Sequence, residues 1–281
     1  MTNNKYNHAN EVNDGDRFEF GKNWIKYLDD FDNARLNDAQ DSLKDMLHID
    51  RLEGKTFLDV GSGSAIFSLA AKTLGASVVS IDYDPNCIEC AINLKNKFYK
   101  DDDTWNIIEG SAIDKNFMNS LGKFDIVYAW GVLHHTGEMW NALDYIDKNV
   151  KENGSLFISI YNDQGYVSRV WKLIKKLYIV TPKFLRFFIL LPCLIAIWGP
   201  ITLRDFIKLK PFSTWKQYNK NRGMSAFIDL QDWVGGYPFE VAAPDKIFSF
   251  YIQKNYTLKN LLTVLGGHGC NQYVFQKNKI S

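Results

Sequence analysis

The sequence predicts an α/β fold, a doubly wound parallel sheet with helices on both faces. Three observations predict it. Apolar runs of strand length near 56–60, 77–82, 105–109, 124–129 and 154–160 alternate with helical segments at 65–74, 86–99, 114–121 and 138–150. Such alternation needs crossover helices, and therefore parallel strands buried on both faces. The first run leads through Phe57-Leu58-Asp59-Val60-Gly61-Ser62-Gly63-Ser64-Ala65, a strand stopped by an acid and a small-residue turn that opens a helix. A second acid, Asp82, closes the next apolar run nineteen residues past Gly63.

The elements follow in order. Residues 1–15 are polar and predict no regular structure; together with the segment up to residue 50 they make an N-terminal helical cap. Its apolar positions Trp24, Tyr27, Leu28, Phe31, Leu43 and Leu47 fit helices ahead of the first strand. Residues 51–162 carry the five alternating strands. The alternation stops at 163, and 163–240 form an insertion rich in aromatic and basic residues, read as a helical lid. Its first segment sets Val167, Val170, Trp171, Ile174 and Tyr178 on one helical face, with Lys172, Lys175 and Lys176 off it. The stretch 187–198, Phe187 to Trp198, is almost wholly apolar and flanked by basic residues. At about a dozen residues, broken by Pro192, it is too short to span a bilayer. It fits a lid over its own domain better than a membrane-surface helix. Residues 241–281 complete the core with a helix after Pro244 and two strands near 256–264 and 271–277. The last pair is a hairpin-like addition, giving seven strands.

Composition narrows the function. The 281 residues are 46% hydrophobic, enough for a sizeable core, and the formal net charge of +1 gives no global attraction to nucleic acid. The polar N-terminus shows no apolar signal region, and four cysteines in a chain this long make no disulfide framework. Both point to a cytoplasmic protein. Cys87 and Cys90 form a CxxC without a second pair or nearby histidine, so they read as packing residues in a helix, and no metal site is expected.

The turn at Asp59–Ala65 carries chemistry. Glycine between strand and helix lets a ligand approach the backbone, and the free N–H groups of the helix point at it. The acid on the next strand suits ribose hydroxyls. A dinucleotide fingerprint needs a third glycine at position 66, which is Ile66, and Asp59 would repel a pyrophosphate. A carboxylate at Asp59 suits instead a cofactor with a cationic head, such as the amino group and sulfonium of S-adenosyl-L-methionine (SAM).

With these residues in place the chain resembles the class I SAM-dependent methyltransferases. The resemblance rests on Asp59-Val60-Gly61-Ser62-Gly63, on Ile81-Asp82-Tyr83-Asp84, on the run Phe124 to His135 and on Gly154 to Ile160. It implies a Rossmann-like sheet of seven strands, SAM as cofactor and S-adenosyl-L-homocysteine as product. Ala65 departs from the pattern where a third glycine is usual, a mild change at a helix start, and Ser111 stands where an acid often meets the adenine amine. Trp130 to Gly137, Tyr161 to Gly165, Trp233 to Glu240 and Gly266 to Asn271 are similar to a subfamily often encoded among bacterial capsule and surface-polysaccharide genes. That likeness implies O-methylation of a small anionic glycan precursor, a sugar.

The site residues follow. Asp59, Gly61, Ser62 and Gly63 meet the methionine part of the cofactor, Asp82 the ribose, Tyr83 the side of the adenine, Ser111 and Ala112 its edge. Asp84 is also assigned to the cofactor. Trp130 borders the methyl-transfer site. A hydroxyl acceptor needs a base, and His135 or His134, directly after the fourth strand, has a suitable pKa. Asp163 is a rival base. Tyr161, Asn162, Tyr237 and His268 line the acceptor cavity, and Arg17 and Lys22 stand ready to close over the cofactor or bind a negative charge. Alternatives are N-methylation of an amino-sugar, a lipid or quinone methyltransferase docking at the membrane through 187–198, and a non-catalytic SAM-binding module. Nucleic acid is not expected as substrate, since no Asn-Pro-Pro-Tyr-type motif follows the fourth strand and the basic residues form no stripe.

Overall fold

The computed structural model describes residues 7–29, 31–222 and 226–279. In chain order it holds α1 (His8–Asn13), α2 (Gly21–Asp29), α3 (Asn33–Leu47), β1 (Thr56–Val60), α4 (Ile66–Thr73), β2 (Ser77–Asp82), α5 (Pro85–Phe98) and β3 (Trp105–Glu109). There follow α6 (Lys115–Ser120), β4 (Phe124–Trp130), a short 3-10 turn at Leu133–His135, α7 (Met139–Lys148) and β5 (Val150–Tyr161). The insertion contributes α8 (Tyr166–Val180), α9 (Phe187–Ile207), α10 (Ser213–Arg222) and α11 (Ala226–Gly235). The chain closes with α12 (Pro244–Ile252), β6 (Tyr256–Leu262) and β7 (Cys270–Lys277).

The seven strands form one sheet in the order β3-β2-β1-β4-β5-β7-β6. β1 to β5 run parallel, and β7 pairs antiparallel with both β5 and β6. This is the seven-stranded α/β architecture expected from the sequence. Successive side chains of a strand point to opposite faces, so neighbours enter different cores. Leu58 and Leu156 join the cluster under α7 and α12, while Phe57 and Phe157 join the cluster under α3 and α4. Order reverses between β1 and β4, and a ligand of such a sheet lies beyond the carboxyl ends at that point.

The N-terminus differs from expectation. Residues 1–6 and the side chain of Tyr27 lie outside the described residues, but His8–Asn13 is helical rather than irregular. Asn7 caps it by accepting from the Asn10 N–H, and Arg17 bonds Glu11 at 2.7 Å. Asp84 then ties this segment to the sheet. Its Oδ1 caps α5 at the Asn86 N–H, and its Oδ2 accepts from the Gly21 N–H at 2.9 Å. The carboxyl assigned to the cofactor is therefore a structural clamp.

Two readings of the insertion are corrected. α9 runs unbroken through Pro192 and Pro200 to Ile207. Each proline removes one helical N–H, and packing of Leu190, Cys193 and Trp198 holds the helix despite the loss. The span Lys183–Ile207 is thereby long and apolar enough to cross a membrane by length and composition. α8 is also rotated from its expected face. Ser168, Lys175, Tyr178 and Ile179 are buried, whereas Val167 and Val170 are exposed. Lys175 lies inward because its ammonium sits over the rings of Trp233 (4.2 Å) and Phe239 (4.7 Å) and donates to the Trp233 carbonyl.

Truncating a core ring and an outer-face residue should separate the two environments. Phe157→Ala should lose about 3–5 kcal/mol in urea unfolding, as a large buried ring does. Leu173→Ser, on the exposed face of α8, should stay within about 0.5 kcal/mol.

Candidate active site

The carboxyl ends of β1, β2 and β4 open into a cavity of about 940 Å³. Asp59 to Ser64 form its floor, Asp82 to Asp84 and Gly110 to Ala112 one wall, Trp130 to Val132 another. Gly61 adopts φ +70°, and a Cβ there would sit 2.2 Å from Val132, so the turn can pass under β4 only as glycine. Trp24 of α2 lies over Gly63 and closes the turn from above.

Asp59 is held by a buried chain of hydrogen bonds. The Trp105 indole N–H donates to Ser80 Oγ at 2.8 Å, Ser80 donates to Ser68 Oγ at 2.6 Å, and Ser68 donates to Asp59 Oδ2 at 2.5 Å. The direction follows because Ser68 spends its single proton on the carboxylate. Among the described residues no lysine or arginine reaches Asp59, and burial pushes its pKa up to about 7, with Ser68 holding it down in part. Asp82 accepts from the N–H groups of Gly63 and Asp84, both at 2.9 Å, and burial raises it to about 6. Ser62 Oγ is buried in the same turn and has no hydrogen-bond partner among the described residues.

The five residues after β4, Gly131 to His135, divide the two histidines. His135 lines the cavity; His134 does not, being fully buried against Tyr161 with ring centroids 3.9 Å apart. The Nδ1 atom of His135 sits 2.7 Å from the Pro238 carbonyl, which can only accept, so Nδ1 carries the proton and Nε2 presents its lone pair. Burial and the charges of Lys175 and Arg17 push the His135 imidazole down to about 3. Gly236 gives the His135 ring room, since a Cβ there would sit 3.0 Å from its Cε1, and a Cβ on Gly235 would strike the Phe18 ring at 2.3 Å.

Of the other expected residues, Tyr83, Ser111, Ala112, Trp130, Tyr161 and His268 line the cavity. Asp163, Asn162 and Tyr237 do not. Asp163 is exposed and accepts from the Gly165 N–H at 2.8 Å, so it shapes a turn instead of facing an acceptor. Asn162 is buried and bonded to Asn271, and Tyr237 packs in the small core of the insertion. Arg17 lines the cofactor end, donating to the His135 carbonyl at 2.9 Å, whereas Lys22 is an exposed partner of Glu19. Sequence reasoning missed Trp171, Asp232 and Trp233, which wall the far half of the cavity. Asp229 and Asp232 are three residues apart on α11 and share a face. Asp232 accepts a hydrogen bond from Asn23 and is raised by burial to about 7. The readable signal was a pair of carboxylates at helical spacing inside an otherwise apolar run beside a tryptophan.

Comparison with known proteins bears on this site. Residues 31–199 match the family described as a methyltransferase domain. The chain belongs to the methyltransferase domain family. Ubiquinone biosynthesis O-methyltransferase, mitochondrial, of Dictyostelium discoideum is 32% identical over 143 residues, covering 45% of this chain and 42% of that protein. Its namesake from Schizosaccharomyces pombe is 30% identical over 164 residues, covering 54% and 56%. The chain thus spans about half the length of these curated relatives. A tRNA U34 carboxymethyltransferase of Haemophilus influenzae is 28% identical over 124 residues, covering 44% of this chain and 37% of that protein. In fold, magnesium protoporphyrin IX methyltransferase from Synechocystis PCC 6803 with bound SAM aligns over 99% of this chain and 100% of its own, at TM-score 0.55 and 10% identity.

The donor set of this methyltransferase domain fits SAM. A cationic amino group would restore charge to Asp59, ribose hydroxyls would use the remaining lone pairs of Asp82, and Ser62 Oγ would gain a partner.

The raised Asp59 pKa sets the pH dependence of cofactor binding. Below about 7 the acid is protonated in the free site, and a cationic ligand must expel that proton. Calorimetry with S-adenosyl-L-homocysteine should show affinity falling as pH drops from 8 to 6, up to about tenfold per unit, with proton release. Ser68→Ala removes the donor that lowers Asp59, so the midpoint should move to higher pH and the affinity at pH 7 should fall about tenfold.

Proposed function

We propose that this SAM-dependent methyltransferase methylates a hydroxyl on an apolar aromatic acceptor, a small molecule of the quinol type, with His135 receiving the hydroxyl proton. The observation that carries this reading is the wall built by the insertion. Trp171, Ile197, Trp198, Ile201, Leu230 and Trp233 surround the half of the cavity remote from the glycine turn. Aromatic rings stack on such walls, and the apolar surface they bury drives entry. Relatives named as ubiquinone biosynthesis O-methyltransferases support the same class of acceptor.

An anionic sugar is less well served. Among the described residues the insertion offers the cavity two carboxylates, Asp229 and Asp232, and no lysine or arginine. Burying a further negative charge beside them would be costly. The capsule-precursor reading therefore ranks second, supported by His268 and Tyr161 as hydrogen-bonding groups on the cavity wall.

SAM supplies a methyl group on a cationic sulfur. The protein's part is to hold the acceptor oxygen in line, which contributes on the order of 7–11 kcal/mol when reactants are well positioned. As the new C–O bond forms, the oxygen turns positive and its proton becomes far more acidic than an imidazolium. A depressed histidine at Nε2 is then a sufficient acceptor. Its low pKa has a second use: His135 stays neutral and ready across the physiological range.

Methyl transfer from labelled SAM to ring-hydroxylated quinols and to uronic-acid sugars tests the reading. Turnover of the quinols should exceed that of the sugars by about 100-fold or more. His135→Ala should lower kcat by about 10²–10⁴-fold while S-adenosyl-L-homocysteine affinity stays within about threefold. Turnover confined to the acidic sugars, or an unchanged kcat, would overturn it.

A further inference from the structure

We propose that the outer face of α8 and α9 is a docking surface for an anionic lipid bilayer, on which both helices lie flat. The proposal does not rest on the identity of the acceptor. Tyr166, Val170, Leu173, Leu177 and Val180 recur at helical spacing along the exposed side of α8, and Leu173 is 69% exposed. Phe184, in the 3-10 turn Lys183–Leu185 that leads into α9, and Phe188, Leu191 and Ile195 of α9 form a second exposed apolar face, with Phe188 70% exposed. Both helices pack their inner sides into one small core through Tyr178, Ile179, Leu190 and Cys193, and exposed apolar faces of this extent mark an interaction site, because a monomer in water gains nothing from them.

Charge identifies the occupant. Residues 164–212 hold nine lysine and arginine side chains against one acid, Asp205, although the whole chain is nearly neutral. Asp205 is buried and accepts from the Thr214 N–H and hydroxyl, so it offers nothing to the surface. Arg169, Lys172 and Lys176 run along α8 beside its apolar stripe, and Lys208 and Lys210 follow α9. All are exposed, and among the described residues Lys172, Lys176, Lys208 and Lys210 form no ion pair. An apolar stripe edged by cations matches acyl chains below a layer of anionic headgroups.

The helices lie on the bilayer and do not cross it. The inner side of α9 is already committed: Leu190 and Cys193 pack on the insertion's core, and Ile197 and Ile201 wall the cavity. Inserting α9 upright would strip that wall away. Lying flat, the same two helices present one side to lipid and the other to the acceptor chamber, which places the chamber at the membrane boundary.

Flotation of the full chain with vesicles tests this. One set is pure phosphatidylcholine and the other carries about 30% phosphatidylglycerol. Binding to the anionic set should be about tenfold stronger and should weaken with salt. Leu173→Asp/Phe188→Asp and Lys172→Glu/Lys176→Glu should each lose about tenfold or more, while S-adenosyl-L-homocysteine affinity, which reports the fold, stays unchanged. No flotation at low salt overturns the proposal, as does equal flotation of the folded variants. A dimer that Leu173→Asp/Phe188→Asp dissociates, with no vesicle binding by wild type, would assign the face to a second copy instead.

Discussion

The site depends on one constraint: a carboxylate, Asp59, is buried at the end of the first strand and, among the described residues, no cation accompanies it. Three hydroxyl and indole donors in series, from Trp105 through Ser80 and Ser68, hold it in one orientation and reach it from three different elements. They do not neutralise it, and its raised pKa records the unmet charge. Burying an unpaired acid works against the stability of the empty protein above the usual carboxylate range. A cationic ligand relieves that cost, which makes this acid a selector for the ligand as well as a contact.

The surrounding structure maintains that burial. α1 and α2 close over the turn, clamped by Asp84 at Gly21 and by Arg17 at the His135 carbonyl. The same clamp reaches the acceptor half, because Asn23 of α2 bonds Asp232 of α11. Cofactor cover and acceptor wall are therefore one connected unit. The insertion adds the second layer, with each of its first two helices serving two surroundings. Lys175 shows how far this goes. It is a buried ammonium held between two aromatic rings and a carbonyl, its pKa lowered to about 7 by burial, and its field adds to the burial that keeps both histidines neutral.

Legibility followed distance along the chain. The turn at Asp59 and the acid at Asp82 were readable because strand, turn and helix are consecutive and their spacing is fixed by the crossover. The number of strands, seven with a closing hairpin-like pair, was readable from the same pattern, whereas their order in the sheet came from the structure. The two histidines were readable as a pair and not as individuals. In the 3-10 turn the two rings meet edge to face, and packing against Tyr161 buries His134 while His135 reaches the cavity. Asp163 looked like a base from its place after β5, yet a local N–H two residues on had first claim on it.

The amino-acid sequence by itself determined the sheet, the cofactor turn and its preference for a cationic nucleoside ligand, because these rest on periodicity and on residues adjacent in the chain. Tertiary structure alone decided which histidine meets the acceptor, that Asp232, Trp171 and Trp233 wall its chamber, and that α8 turns its lysine inward and its leucines outward. Those outcomes depend on helices from distant parts of the chain packing together. Hydropathy assigns a side chain its average environment, whereas the fold assigns this one its actual neighbours.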